Sequence, residues 1–183
     1  MPHLPAVTDP GPLTRLAYAV SRRRFGDVPE PVTLWAHSRR ILLGVARFEQ
    51  SVGSWKDLDP TCKALAVLRS AQVIGCPWCI DFGSFVSSED VTTEQLRDLH
   101  RWRDSEHFTP AQRLCLEYAE LASRTPVEVP PELVSALRQH FPDAAVVELA
   151  MVVAVENQRS RFNGGLGLGS QGFSTTSCAV SPG

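Results

Sequence analysis

Asp59-Pro60-Thr61-Cys62-Lys63-Ala64-Leu65-Ala66-Val67-Leu68-Arg69-Ser70-Ala71-Gln72-Val73-Ile74, then Gly75, then Cys76-Pro77-Trp78-Cys79-Ile80-Asp81-Phe82-Gly83, is the stretch whose reading decides the fold. Asp59 suits a helix cap and Pro60 the first turn, where an amide hydrogen has no intrahelical partner, so a helix is predicted from about Thr61 to Ile74. It is apolar nearly all round, as a helix surrounded by other elements must be. Gly75 interrupts it, and Cys76-Pro77 restarts a second helix whose early proline is equally well placed. Two thiols therefore stand at a helix N-terminus.

The same punctuation continues outward. Pro31 to about Val52 carries Leu34, Trp35, Ile41, Leu42, Val45 and Phe48 at mainly three- and four-residue steps and stops near Gly53. Thr92 or Thr93 caps a helix running through Trp102, Thr109-Pro110 opens one that ends before Pro126, and Pro130-Pro131 opens the next. Ala144 to about Phe162 is a long apolar run closed by Gly164-Gly165. No strand-like alternation separates these segments, so the expectation is an all-α, single-domain bundle of about seven helices. The expected boundaries are an N-terminal arm over 1–30, the helical domain over 31–166 and a Gly/Ser/Thr-rich flexible tail over 167–183.

A chain of 183 residues with 43% hydrophobic content can bury one core of its own. The net charge of -2 leaves no electrostatic footprint for nucleic acid. The start of the chain lacks the basic and apolar runs of a secretory signal, and no segment reaches membrane-spanning length, so a soluble, cytoplasmic protein is expected. Five cysteines fit a reducing compartment, where a C-x-x-C pair is catalytic, redox-sensing or metal-binding.

Cys76 and Cys79 lie three residues apart, close enough to close a small disulfide ring. The positive end of the helix dipole favours a thiolate at Cys76 over one at Cys79, which makes Cys76 the expected nucleophile and Cys79 the resolving thiol. Such a pair attacks a peroxide, passes through a sulfenic acid and closes to a disulfide that a dithiol reductant reopens. A zinc site would need two more ligands, and Cys62, Cys115, His100 and His107 form no second ligand unit, so neither a metal nor a cofactor is expected. Cys62 and Cys115 read as core thiols, and Cys178 as an incidental exposed one.

Other residues are candidates by type and position. Asp81, two residues past Cys79, is the nearest titratable group. Glu148 and Glu156 share nearly one face of an apolar helix, where desolvation raises a carboxyl toward proton-relay values; Glu156 is the expected catalytic one, with Arg159 or Ser160 as its alternative partners. Arg69 and Gln72 interrupt a buried helix and must find partners, in a substrate site near the sulfurs or in an ion pair. Trp78, Phe82 and Phe85 are read as apolar walls beside the sulfurs, with plain core packing as the alternative.

The stretch from Lys63 to Arg69, that from Ile74 to Gly83, and the later helix from Glu148 to Gly165 resemble the core of the alkylhydroperoxidase D-like, or carboxymuconolactone decarboxylase, family. The resemblance implies a helical subunit that assembles into dimers, trimers or hexamers, and an antioxidant peroxidase activity of the C-x-x-C pair with a glutamate and a histidine relaying protons. The family's histidine would follow the second cysteine by four residues, where this chain has Gly83. Its glutamate would precede the first cysteine by twelve, where this chain has Ala64. The leading expectation is a thiol peroxidase or disulfide oxidoreductase with a non-standard relay. The alternatives are an enzyme of lactone-decarboxylase or specialised-metabolism type that bypasses the cysteines, and an oligomeric redox-sensing module without turnover.

Overall fold

The computed structural model describes residues 2–174, and these contain helices and no strand. In chain order the helices are α1 (Pro12–Phe25), α2 (Glu30–Trp35), α3 (Arg39–Val52), α4 (Pro60–Ile74), α5 (Pro77–Val86), α6 (Thr93–Asp98), α7 (Pro110–Ala122), α8 (Pro131–His140) and α9 (Asp143–Gly165), with a 3-10 turn over Leu99–Arg101. The expected seven become nine among the described residues. One extra is α1, inside what the sequence reads as an arm. The other arises because the single helix expected from Pro31 breaks over 36–38, where Ser38 turns extended and caps α3 through the Ile41 amide.

α4 is the axis of the bundle and packs against α5, α7 and α9. Asp59 accepts the Cys62 amide at 2.9 Å to start it, and Gly75 ends it at φ 77°, a left-handed conformation that a side chain would strain. The Cys76 amide still donates back to the Ala71 carbonyl, so the chain reverses tightly and α5 begins at once on Pro77. Leu65, Leu68, Leu99 and Leu116 are fully buried with Cys76 and Cys79 in one core cluster, while Cys62, Cys115, Leu137 and Leu149 form a second. Removing a side chain such as Leu68 from this packing costs about 2–5 kcal/mol.

Past α9 the sequence reading of 167–183 as a flexible tail needs correction for residues 167–174. Leu168 is buried among the residues around the thiols, and the segment after it is bound to α5. Cys178 lies outside the described residues.

Candidate active site at the thiol pair

Cys76 occupies the N-cap of α5, and its sulfur accepts the Cys79 amide hydrogen at 3.2 Å. The two cysteines are joined as a disulfide. They are 1% and 5% exposed. Neither of two surface cavities, of about 620 Å³ between the starts of α1 and α3 and about 330 Å³ beside Phe85 and Phe173, is lined by a cysteine.

One face of α9 closes over the sulfurs. Ser160 Oγ lies 3.3 Å from Cys79 Sγ and 2.8 Å from Glu156 Oε1. Asn163 Nδ2 lies 3.3 Å from Cys79 Sγ and 4.0 Å from Cys76 Sγ. Glu156, Ser160 and Asn163 are spaced i, i+4, i+7, one stripe of a helix, and all three are buried. Burial pushes the Glu156 carboxyl up to about 7, against the lowering effect of the Arg159 charge and the Ser160 hydroxyl. Arg159 stays 3.5 Å away because its guanidinium is committed to Glu49. The hydroxyl thus bridges a sulfur and a carboxyl that exchanges its proton near neutral pH.

The remaining candidates separate clearly. Glu148, on the same helix, is engaged elsewhere: it accepts the Asp57 and Leu58 amides and pairs with Lys63 at 2.8 Å. Its burial would raise its pKa, but those partners outweigh burial and hold it below the usual value. Arg69 binds Glu120 Oε2 at 2.7 Å and Gln72 Oε1 at 3.1 Å, and Glu120 also binds Arg103 and Arg124. Burial opposes ionisation of Glu120, yet the Arg103 and Arg69 guanidinium groups hold it at about 2. Arg69 and Gln72, expected in a substrate site or in an ion pair, stand in an ion cluster between α4 and α7. The Asp81 carboxylate, the nearest titratable group in sequence, accepts hydrogen bonds from the segment 170–174.

Trp78 and Phe82 stack at 4.8 Å beside the thiols, and Phe82 also meets Phe25 and Phe173. The ring cluster packs α5 against α1 and the C-terminal segment. A Cβ on Gly83 would stand 2.9 Å from Leu68 Cδ2, so the place of the family's histidine is filled by leucine. Away from this site, the neighbouring Cys62 sulfur together with burial pushes the Cys115 thiol up, in keeping with two inert core thiols. Among the described residues no group of three His, Cys, Asp or Glu side chains could hold a metal ion. No helix among them is long and apolar enough to cross a membrane.

The sequence reading missed Asn163 as a sulfur contact and treated Ser160 only as a partner for Glu156. The spacing of 156, 160 and 163 carries the signal. It acquires meaning only once α9 is known to cross the start of α5.

A helical bundle with a C-x-x-C pair opening an inner helix defines an alkylhydroperoxidase D-type domain. The model of the family described as "Carboxymuconolactone decarboxylase family" matches residues 41–121. The chain is 34% identical over 158 residues to the uncharacterized protein YnjA of Escherichia coli (strain K12), covering 83% of this chain and 85% of that one. The chain belongs to the carboxymuconolactone decarboxylase family. Among solved structures, an alkylhydroperoxidase AhpD core protein of Ralstonia eutropha JMP134, an uncharacterized peroxidase-related protein, superposes with a TM-score of 0.81 at 17% identity, covering 94% of each chain. The debrominase Bmp8 in its apo form superposes with a TM-score of 0.78 at 16% identity, covering 88% of each chain. Both likenesses establish the shared fold.

Proposed function

We infer that the protein is a thiol peroxidase of the family's redox type, in which Glu156 and Ser160 on α9 replace the relay that Ala64 and Gly83 cannot provide. The observation that carries this reading is the chain of contacts from Cys79 Sγ to Ser160 Oγ at 3.3 Å and on to Glu156 Oε1 at 2.8 Å. In the dithiol state a Glu156 carboxylate accepts the Ser160 hydroxyl hydrogen while Ser160 accepts the Cys79 thiol hydrogen, so one concerted shift leaves a Cys79 thiolate and a neutral carboxyl. Asn163 Nδ2 donates to that sulfur and stabilises its charge.

The thiolate attacks the terminal oxygen of a hydroperoxide and breaks the O–O bond, giving a Cys79 sulfenic acid and an alkoxide. The alkoxide takes the proton stored on Glu156 and leaves as an alcohol. Cys76 then attacks the sulfenic sulfur, water departs, and the Cys76–Cys79 disulfide is the oxidised product. A dithiol reductant returns two electrons and two protons. The relay thus favours Cys79 as the attacking sulfur, with Cys76, held by the Cys79 amide at the helix N-terminus, as the resolving one; this reverses the order expected from the helix dipole alone.

The test is hydroperoxide consumption with a dithiol reductant. Wild type should consume it well above the rate of a free thiol, Cys79→Ser should lose this, and Cys76→Ser should turn over once and leave a trappable sulfenic acid on Cys79. A wild-type rate equal to that of a free thiol refutes the reading. An activity that survives both serine substitutions would instead favour lactone-type chemistry.

The reading includes assembly into a homo-oligomer working in a reducing, cytoplasmic setting. Val147 and Met151 stand exposed one turn apart on α9, at 62% and 42%, and Ile41 and Phe48 are exposed on α3. Apolar surface of this kind supports burial against another copy. Light scattering on the eluted protein checks it, a monomer mass being the contrary result.

A further inference from the structure

A disulfide between cysteines that are 1% and 5% exposed is open to no outside reagent until part of its cover moves. Exchange needs an attacking thiolate to reach a sulfur directly. α4 and α9 are long helices that make the core. The same core cluster around the cysteines also holds Leu34 of α2, Trp78 and, from the segment after α9, Leu168.

That segment has no helical hydrogen bonding of its own and is fastened by side-chain contacts. The Asp81 carboxylate accepts the amides of Gln171, Gly172 and Phe173 at 2.8, 2.6 and 3.1 Å and the Ser170 hydroxyl at 3.0 Å on one oxygen, and the Ser174 amide at 2.7 Å on the other. Gly172 sits at φ 78°, which lets successive amides converge on one acid. The Gln171 amide accepts the Trp78 indole hydrogen at 3.1 Å and the Glu30 backbone amide at 2.9 Å, and donates to the Val28 carbonyl at 2.9 Å. Phe173 packs against Phe82 and Phe85. Gln171 therefore ties the indole between the two cysteines to the start of α2, and Asp81 holds Gln171 in place.

We propose that residues 168–174 are a latch over the thiol pair, held by Asp81 and Gln171, whose release frees Trp78 and the start of α2 together and admits reagents to the sulfurs. The latch rests on the sulfurs reacting in their turn with an outside thiol, whatever the oxidising substrate. Opening is the slow step of disulfide reduction in the closed protein.

The experiment is reduction of the full-length disulfide protein by dithiothreitol, followed by mass spectrometry, in wild type, Asp81→Asn and Gln171→Ala. Amide hydrogen exchange is measured on the same samples. Asn keeps one acceptor oxygen for the four convergent donors but loses the negative charge and turns its NH2 toward the Ser174 amide, so each variant should raise exchange at 170–174 and speed reduction by about tenfold or more, the equivalent of losing one charge-assisted hydrogen bond. Exchange across α4 should stay at the wild-type level. An unchanged reduction rate overturns the latch, and so does a faster rate accompanied by equal loosening of α4. Dithiothreitol reduction uses no peroxide. Absence of peroxide turnover would sink the peroxidase reading and leave this result standing, while an unchanged reduction rate would sink the latch alone.

Discussion

Replacing Glu156 with glutamine separates a proton-exchanging carboxyl from a merely buried one. Glu156 is 3% exposed, its carboxyl rises from an ordinary value of 4.5 to about 7 through burial, and its one close polar contact at 2.8 Å is the Ser160 hydroxyl. The fold holds this proton more tightly than the unfolded chain does. Stability from it is fully present below pH 4.5 and is lost as pH rises through about 7. The difference between the two values corresponds to about 3 kcal/mol. Glutamine keeps the shape and an acceptor for Ser160 but does not ionise, so Glu156→Gln should lack this loss. Urea unfolding of both proteins with the disulfide intact, at pH 5 and pH 8, should show the variant gaining about 2.5 kcal/mol on wild type across that interval, since part of the effect is already lost at pH 5. The alkylation rate of the reduced protein at Cys79 should follow a titration near pH 7 in wild type and lose it in the variant. Parallel stability profiles would mean an ordinary carboxyl at 156, and the relay would then have no base.

Three further substitutions test the assignments around the site. Glu148→Gln should cost about 1–3 kcal/mol in chemical denaturation, because the Asp57 and Leu58 amides and Lys63 lose a carboxylate, while the Cys79 alkylation profile stays that of wild type. Glu120→Gln should destabilise by about 3 kcal/mol or more, since it leaves the largely buried Arg69 guanidinium without its counter-charge, and the disulfide should still form at the wild-type rate. Gly83→His should lower the melting temperature by forcing Leu68 from a fully buried position, at a cost of about 1–3 kcal/mol. Adding Leu68→Ala should recover part of that loss in the same thermal scan; a second loss of equal size would mean that Leu68 is not the obstacle.

The parts of this molecule that depend on local chemistry were legible in its sequence. Asp59, Pro60, Gly75 and Pro77 mark the ends of α4 and α5 by their caps and missing amides, and these fix the placement of both sulfurs. α1 was hidden because it buries little, with only Thr14 and Ser21 among its fully buried positions, so it carries no strong apolar stripe. The break between α2 and α3 covers only 36–38, with Ser38 extended, inside a helical apolar pattern that continues on both sides. Partner choice was the least legible part. Arg69, Glu148 and Asp81 each find their counterpart at a sequence separation of 51, 85 and about 90 residues, and side-chain type alone does not say which charge meets which.

The same geometry explains how the family's relay residues can be absent without leaving the sulfurs unserved. A relay needs a hydroxyl or imidazole within reach of one sulfur and a carboxyl of raised pKa behind it; it does not need them on a particular helix. In this chain Ala64 and Gly83 are small, and Leu68 fills the volume next to Gly83, so the α4–α5 side of the thiols is apolar and closed. The buried carboxyl of raised pKa is supplied by α9. Ser160 of α9 meets Cys79 Sγ at 3.3 Å, and Glu156, one turn earlier, meets the Ser160 hydroxyl at 2.8 Å. Burial on one side and polarity on the other are thus coupled. Restoring a histidine at position 83 would bring polarity to the closed side and lower the very desolvation that keeps the Glu156 proton available near neutral pH. Gly83→His with Leu68→Ala should therefore lower the Glu156 carboxyl from about 7, read as a downward move of the pH dependence of Cys79 alkylation, and an unmoved pH dependence would show that the two sides of the site act independently.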